Sequence, residues 1–419
     1  MNQHQVDIAI IGGGMVGASF ALALREAIES GLRVAVIEAV DLSNTQSIEH
    51  YQPSFDGRVT ALSYGSRLIF EAMRVWSMLS QHVSPIKKIH VSEKGHFGSV
   101  VMNHEEAHVE ALGYVVENAW LGRVLLSEIK KMVGLTWVSP AQVQTLVMGA
   151  EGADIHIQKN NEEITLKATL TIIADGGRSS LCEQLGISHT QHPYEQHAVI
   201  AVVECEKPHN NTAYERFTPT GPMALLPLSA YKMGVVWTVP TSEAQNVLQL
   251  TDTDFLKSIQ AQFGYRLGAF KKVGARVNYP LHLIKRDEQV RTGLVVLGNA
   301  AHTLHPVAGQ GFNLALRDAA SLAEVVLNAF SNKQNIGDIA ILKTYQEKQQ
   351  TDQDKTIHFS HLTTTLFSSS RFSSLIARRI GFMALQLIPF AKSWFIDQAM
   401  GLGGSRAQLS LNKKSGTHE

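Results

Sequence analysis

Six consecutive residues, Gly12-Gly13-Gly14-Met15-Val16-Gly17, constrain this chain more than any others. They follow Val6 to Ile11, a short β-branched apolar run that reads as a strand, and they open a helical pattern from Met15 to about Glu29. Arg33 to Glu38 (RVAVIE) reads as a second strand. Connections this short force the two strands into a parallel βαβ unit. In a GxGxxG turn placed this way, Gly12 permits the tight turn, Gly14 lets a pyrophosphate approach the backbone, and Gly17 allows close packing of helix on strand. The unpaired N–H groups and dipole at the helix start favour the anion. Glu38, which ends the second strand, stands where a carboxylate bonds a ribose hydroxyl.

The turn by itself does not separate one ADP-containing dinucleotide from another. Two later segments repeat its grammar of a strand that runs into glycines: Leu170 to Gly177 (LTIIADGG), and Leu294 to Gly311 (LVVLGNAAHTLHPVAGQG) followed by a helical stretch from Phe312 to Phe330. In the first, Asp175 puts a carboxylate at a strand end where it can reach a cofactor hydroxyl, although an Asp-Gly pair is also an ordinary turn. In the second, the small residues from Gly298 and Asn299 through Pro306 to Gly309 and Gly311 let a bulky planar ligand lie against backbone. The helix beyond them aims its N-terminus at that ligand. A reduced flavin carries negative charge near N1 and the C2 carbonyl, which such a terminus stabilises; these segments narrow the ligand to FAD. His302 and His305 lie three apart but have no carboxylate or cysteine set beside them, so no metal is expected and they are read as shaping the pocket.

The expected architecture is α/β: a Rossmann-like, three-layer FAD-binding domain assembled from residues 1–80, 105–185 and 285–355. An inserted β-rich substrate domain takes 81–104 and 186–284, where VIAVVECE, ERFTPTGPMALLPL and YKMGVVWTV suggest an antiparallel sheet. A helical C-terminal region takes 356–419. Aromatic residues of the middle domain, Phe217 and Trp237 among them, are core candidates or, together with His305, candidates for lining a substrate cavity.

Balanced charge, 37 Lys+Arg against 37 Asp+Glu, gives no field that would draw nucleic acid. Two cysteines, Cys182 and Cys205, make neither a disulfide framework nor a zinc site and read as small buried residues. The N-terminus lacks a basic n-region and no stretch is long enough to span a bilayer, so a cytoplasmic chain is expected, or one peripheral at the inner face of the membrane. No Ser-His-Asp order, HExxH, P-loop or paired-carboxylate arrangement supports hydrolysis or phosphoryl transfer.

Taken in order to about residue 330, the GGGMVG turn, Glu38, the ADG element and GNAAHTLHPVAGQGFN resemble the FAD-dependent aromatic monooxygenases of the p-hydroxybenzoate hydroxylase type. Within that group, FDGRVTAL (Phe55 to Leu62), HVSEKGHFG (His90 to Gly98), PYEQHAVIA (Pro193 to Ala201) and ERFTPTGPMALLPL look like the ubiquinone-biosynthesis hydroxylases. The resemblance implies that Arg58 lies near the ADP part of FAD and that Arg123 reaches its phosphates. It also implies that Asp175 holds the pyrophosphate or ribityl region, and that Gly309 to Asn313 contact the isoalloxazine. Asn299 stands where many relatives have aspartate; an amide still bonds a ribityl hydroxyl but carries no charge.

By the same resemblance NAD(P)H reduces the flavin, O2 adds at its C4a carbon to give a hydroperoxide, and an electron-rich prenylated methoxyphenol attacks the distal oxygen. The protein orients the ring, excludes water and assists phenol deprotonation; the residues do not identify the base. Hydroxylation at another ring position, a flavin reductase of prenyl chains, and an FAD-retaining non-catalytic subunit of a biosynthetic complex are the alternatives. A prenyl tail asks for an apolar channel or a membrane. His361 to Met400, with Arg371, Arg378, Arg379 and Lys392 interspersed, suits an interface with lipid or with another ubiquinone-biosynthesis protein, or equally helices packed on the FAD domain.

Overall fold

Strand Gln3–Ile11 is apolar on both faces over Ile8 to Ile11, where it runs through the middle of the molecule. In this computed structural model, which describes residues 3–41, 57–95, 99–160, 162–177, 179–305, 309–368, 396–402 and 407–410, it pairs in parallel with Glu162–Ile173 on one side and Val34–Ile37 on the other. Leu294–Val296 adds in parallel beyond Glu162–Ile173, and Leu135–Val138 beyond Val34–Ile37. The three strands that run into glycines are therefore neighbours, and their C-terminal ends converge. Period-two alternation divides the side chains. Ile8 and Ile10 face a core closed by helices Met15–Ala23, Asn118–Lys130 and Gln310–Ser331. Ala9 and Ile11 face a second core, closed by the antiparallel strands Gln142–Gly149 and Gly152–Lys159 and by helix Ser180–Gln184. Three layers result.

The helical pattern after the first turn is broken once. Leu24 leaves the α-region at φ −92°, ψ 7°, and its N–H closes on Ala21, so Met15–Ala23 and Arg25–Glu29 are separate helices. Arg25 then reaches Glu128 at 3.0 Å on helix Asn118–Lys130.

A nine-stranded sheet forms the second body of structure. Its path runs His302–Thr303, Val277–Arg286, His189–Cys205, Lys232–Pro240, Gly221–Pro227, Thr212–Thr218, Lys88–Glu93, Ser99–Asn103, and Phe270–Val273 also pairs with His189–Cys205. One face carries Val199, Met223, Leu225, Val235 and Trp237 under helices Thr241–Gln249 and Asp252–Phe263. The other face carries a cross-strand row, Val91, Glu215, Ala224, Val236 and Ile200, each directly opposite the next.

Between the two bodies lies a small antiparallel sheet of Val59–Ser63, Gly113–Glu117 and Val83–Ile86. Val83–Ile86 thus belongs to this connecting sheet, while Lys88–Glu93 and Ser99–Asn103 join the large one. Helix Ile339–Ser368 packs on Gln310–Ser331 and runs uninterrupted through position 356, where the sequence suggested a boundary. Arg371, Arg378, Arg379 and Lys392 lie outside the described residues. No described helix is long and apolar enough to cross a membrane.

Candidate active site

A cavity of about 890 Å³ opens between the C-terminal ends of the parallel strands and the row side of the nine-stranded sheet. Eight residues expected at the cofactor line it: Gly12, Gly14, Glu38, Asp175, Asn299, Gly309, Gly311 and Asn313. Phe217 lines its far wall.

The glycine turn is specified atom by atom. A Cβ on Gly17 would sit 2.0 Å from the Gly12 carbonyl oxygen, and one on Gly12, at φ +101°, would sit 2.5 Å from that of Ala174. Gly14 differs: its Cβ would meet nothing within 4 Å, because the position looks into the cavity. It caps helix Met15–Ala23 with no side-chain bond to the first turn, which leaves those N–H groups directed at the space in front of Gly14. Gly13, unassigned by the sequence pattern, has its own reason, since a Cβ there would lie 2.5 Å from the Trp137 ring and 3.1 Å from the Glu38 Cβ.

Glu38 does more than end a strand. Its Oε2 accepts from the Gly13 N–H at 2.7 Å and its Oε1 from the Val40 N–H at 2.8 Å, so the carboxylate is fixed at the cavity wall with lone pairs to spare. Burial pushes the Asp175 carboxyl upward, against the opposing effects of a bond from Ser179 and the Arg286 charge. Asn299 sits in the short 3₁₀ turn Gly298–Ala300, and Thr303 beside it donates to its carbonyl at 3.2 Å.

Asn313 occupies an unexpected position. Its Oδ1 accepts from the Ser63 N–H at 2.8 Å and the Ser66 hydroxyl at 2.7 Å, while its Nδ2 donates to the carbonyls of Ala61 at 2.8 Å and Gly309 at 2.7 Å. Both polar ends are used within the protein, so Asn313 anchors the Gly309 turn to strand Val59–Ser63 from behind. Gly309 and Gly311 line the cavity in front of it.

Other expected residues fall elsewhere. Arg58 donates to the Tyr279 hydroxyl at 3.1 Å and stacks over that ring, outside the cavity lining. Arg123 is half-buried on helix Asn118–Lys130, also outside it. Trp237 faces away, edge-on to Phe255 in the helix-covered core, because Val236 takes the cavity phase of its strand. His305 is buried behind the wall, edge-on to Tyr194, and burial lowers its pKa to about 4. His302 bonds Asp318 at 2.6 Å deep in the interior, where Gln349 and Gln353 also donate to that carboxylate. Pro306 lies outside the described residues.

The arrangement fits FAD: a cradle at Gly14 that no protein atom fills, helix N–H groups, two carboxylates at strand ends, and glycine backbone leading to an apolar wall. Residues 5–360 match the model of the FAD binding domain family. The ubiquinone hydroxylase UbiL of Rhodospirillum rubrum is 31% identical over 396 residues, covering 94% of this chain and 89% of that protein. The 3-demethoxyubiquinol 3-hydroxylase of Escherichia coli is 29% identical over 403 residues, covering 96% and 100%. Among solved structures, p-nitrophenol 4-monooxygenase from Pseudomonas putida superposes with a TM-score of 0.78 at 15% identity, covering 97% of this chain and all of that one, a likeness of fold.

Proposed function

The chain belongs to the FAD binding domain family, and on that premise we propose that it is an FAD-dependent monooxygenase that hydroxylates the ring of a polyprenylated methoxyphenol in ubiquinone biosynthesis, with O2 and NAD(P)H as co-substrates. The observation that carries the proposal is the two-ended cavity. One end has the Gly12–Gly17 turn, Glu38 and Asp175, which suit an ADP-ribityl chain; the other has Ile89, Val91, Ala224, Leu226, Val236 and Ile200, which suit an aromatic ring with an apolar tail.

When bound, FAD supplies the chemistry that amino acids lack, the two-electron reduction and activation of O2. The protein's own groups do the rest. Helix Met15–Ala23 takes the pyrophosphate at its N-terminus, Glu38 receives a ribose hydroxyl, and Asp175 with Asn299 holds the ribityl chain. The start of helix Gln310–Ser331 would favour negative charge on a flavin ring held at Gly309 and Gly311. The sheet wall keeps water from the reacting ring. The names of the two relatives point to quinone-ring hydroxylation, and the apolar wall is what such a substrate needs.

The test has two arms. The purified protein should be yellow, or become so on addition of FAD, and should oxidise NAD(P)H faster when a prenylated methoxyphenol is present. Cells lacking it, grown in air, should accumulate a quinone precursor short of one hydroxyl, identified by mass spectrometry, which also fixes the ring position. A protein that binds no FAD, or a quinone profile unchanged by its loss, would sink the proposal.

A further inference from the structure

Of the five residues in the cross-strand row that faces the cavity, four are apolar and one is Glu215. Its phase on strand Thr212–Thr218 is unambiguous. Tyr214 meets Phe263 edge-on, and Arg216 donates to the Gln262 carbonyl and the Ser92 hydroxyl on the helix-covered side, so Ala213, Glu215 and Phe217 point the other way. Its neighbours on the cavity side are Ile89, Val91, Ala224 and Leu226, and among the described residues no hydrogen bond or ion pair holds its carboxyl. A carboxylate set unpaired in an apolar wall costs stability unless a donor arrives. Valine would complete this wall at no such cost.

We propose that Glu215 accepts the hydrogen bond of the substrate's ring hydroxyl and then takes its proton as the ring is hydroxylated. This assignment rests on the proposed function, and it places the hydroxyl at the sheet end of the cavity, with the prenyl tail along the apolar rows beside it. In the step, the O–H bond of the phenol breaks and its electron pair stays on the ring oxygen, which enriches the ortho and para carbons for attack on oxygen. The proton forms a new O–H bond on Glu215 and passes to water when the product leaves. One atom of O2 forms the new C–O bond and the displaced ring hydrogen leaves as a proton, while the other oxygen atom, with the two electrons of NAD(P)H and two protons, leaves as water.

Burial among apolar side chains pushes the Glu215 carboxyl up to about 7, close to the best value for a base at neutral pH. Other ionisable groups leave it apart. Glu93 shares its face, opposite Phe217 on the adjacent strand. Asp175 and Glu38 are on the strand-end wall, and His361 of helix Ile339–Ser368 is bonded to Tyr194. Arg58 is stacked on Tyr279, and His90, Arg216 and Arg266 lie on the far face of the sheet.

The experiment uses FAD-loaded protein with 2-methoxy-6-prenylphenol, which has one isoprene unit, and with its methyl ether. Glu215→Gln should keep FAD and hold KM within about threefold, yet lose about 10²-fold in kcat together with the rise of rate through pH 7. Glu215→Leu, a replacement the apolar wall accommodates, should keep FAD and abolish the preference for the phenol over the ether. That preference, measured as a ratio of Kd on the oxidised protein at pH 8, should be about tenfold or more in the unmodified chain. Unmodified protein that hydroxylates while Glu215→Gln matches its kcat and pH profile would overturn this assignment alone. Unmodified, FAD-loaded protein that turns over no phenol would overturn the proposed function and the assignment with it.

Discussion

Two helices start at the wall of one cavity with glycine at the cap and no side-chain bond to the first turn, yet they are built by opposite means. Gly14, at the head of Met15–Ala23, has an ordinary extended backbone, φ −65° and ψ −173°, and matters because the space before it is empty. Gly309, at the head of Gln310–Ser331, is in the left-handed region at φ +61° and is held from behind by Asn313. The helix of the first start is set against its own turn, Gly17 on the Gly12 carbonyl, with Ala174 and Trp137 packed behind the glycines; the second is tied by side-chain hydrogen bonds to a strand some 250 positions away. The donors of a phosphate site can therefore come from one local turn, whereas a surface for a flavin ring needs two distant segments tied in register.

The largest effect should come from filling the local turn. In Gly17→Ala the new Cβ would sit 2.0 Å from a backbone oxygen that cannot rotate away, so the turn must shift, at a cost of about 3 kcal/mol or more. Urea denaturation should show a large drop in midpoint, with loss of FAD as a consequence. Next comes the tie behind the second start. Asn313→Ala strands the buried Ser63 N–H and frees the carbonyls of Ala61 and Gly309, for about 2–3 kcal/mol. If the comparison is right, FAD should weaken in Asn313→Ala even under conditions where the chain remains folded.

These cases explain how much could be read in advance. Gly12, Gly14, Gly17 and Glu38 were legible because their spacing within one βαβ unit is visible in the chain, although the carbonyl that crowds Gly12 belongs to the distant Ala174. Asn313 was legible as a site residue but not in its role, since its partners Ala61, Ser63 and Ser66 carry no pattern that points to it. The inserted sheet shows a further limit. Alternation along ERFT and VVWTV reveals two phases, but both faces of this sheet are apolar, one under helices and one lining the cavity. Hydrophobicity therefore could not show that Trp237 belongs to the core and Glu215 to the cavity. The break at Leu24 was hidden for a similar reason, because a buried leucine suits a continuous helix as well as an interrupted one.

Acid should destabilise the fold through His305. His305 is 1% exposed and its pKa is lowered by burial to about 4, below the usual 6.5. The unfolded chain takes up a proton below pH 6.5 that the folded one refuses until about pH 4. Stability is therefore fully present above pH 6.5 and is lost as pH falls through that window, by about 2 kcal/mol at pH 5. Comparing urea midpoints at pH 7 and pH 5 should show a smaller fall in His305→Gln than in the unmodified chain; equal falls would mean that other histidines account for the acid limb. Gly309→Ala comes next. The methyl group forces an L residue into the left-handed region and lies 3.2 Å from the Ala61 Cβ, for about 1–2 kcal/mol.

Gly14→Leu should have the smallest effect on stability and the sharpest on function. A Cβ at this position meets no atom within 4 Å, and although leucine caps a helix less well than glycine, the unfolding free energy should fall by only about 0.5–1 kcal/mol. The side chain, however, would occupy the space in front of the first-turn N–H groups, where a pyrophosphate must come against the backbone. Flavin absorbance relative to protein absorbance should fall to background and stay there on reconstitution, while Gly309→Ala, less stable, should still take up FAD. Should Gly14→Leu keep its flavin, the emptiness before Gly14 would not be a phosphate cradle. The cofactor would then be held mainly by the second start, which would reverse the contrast between the two.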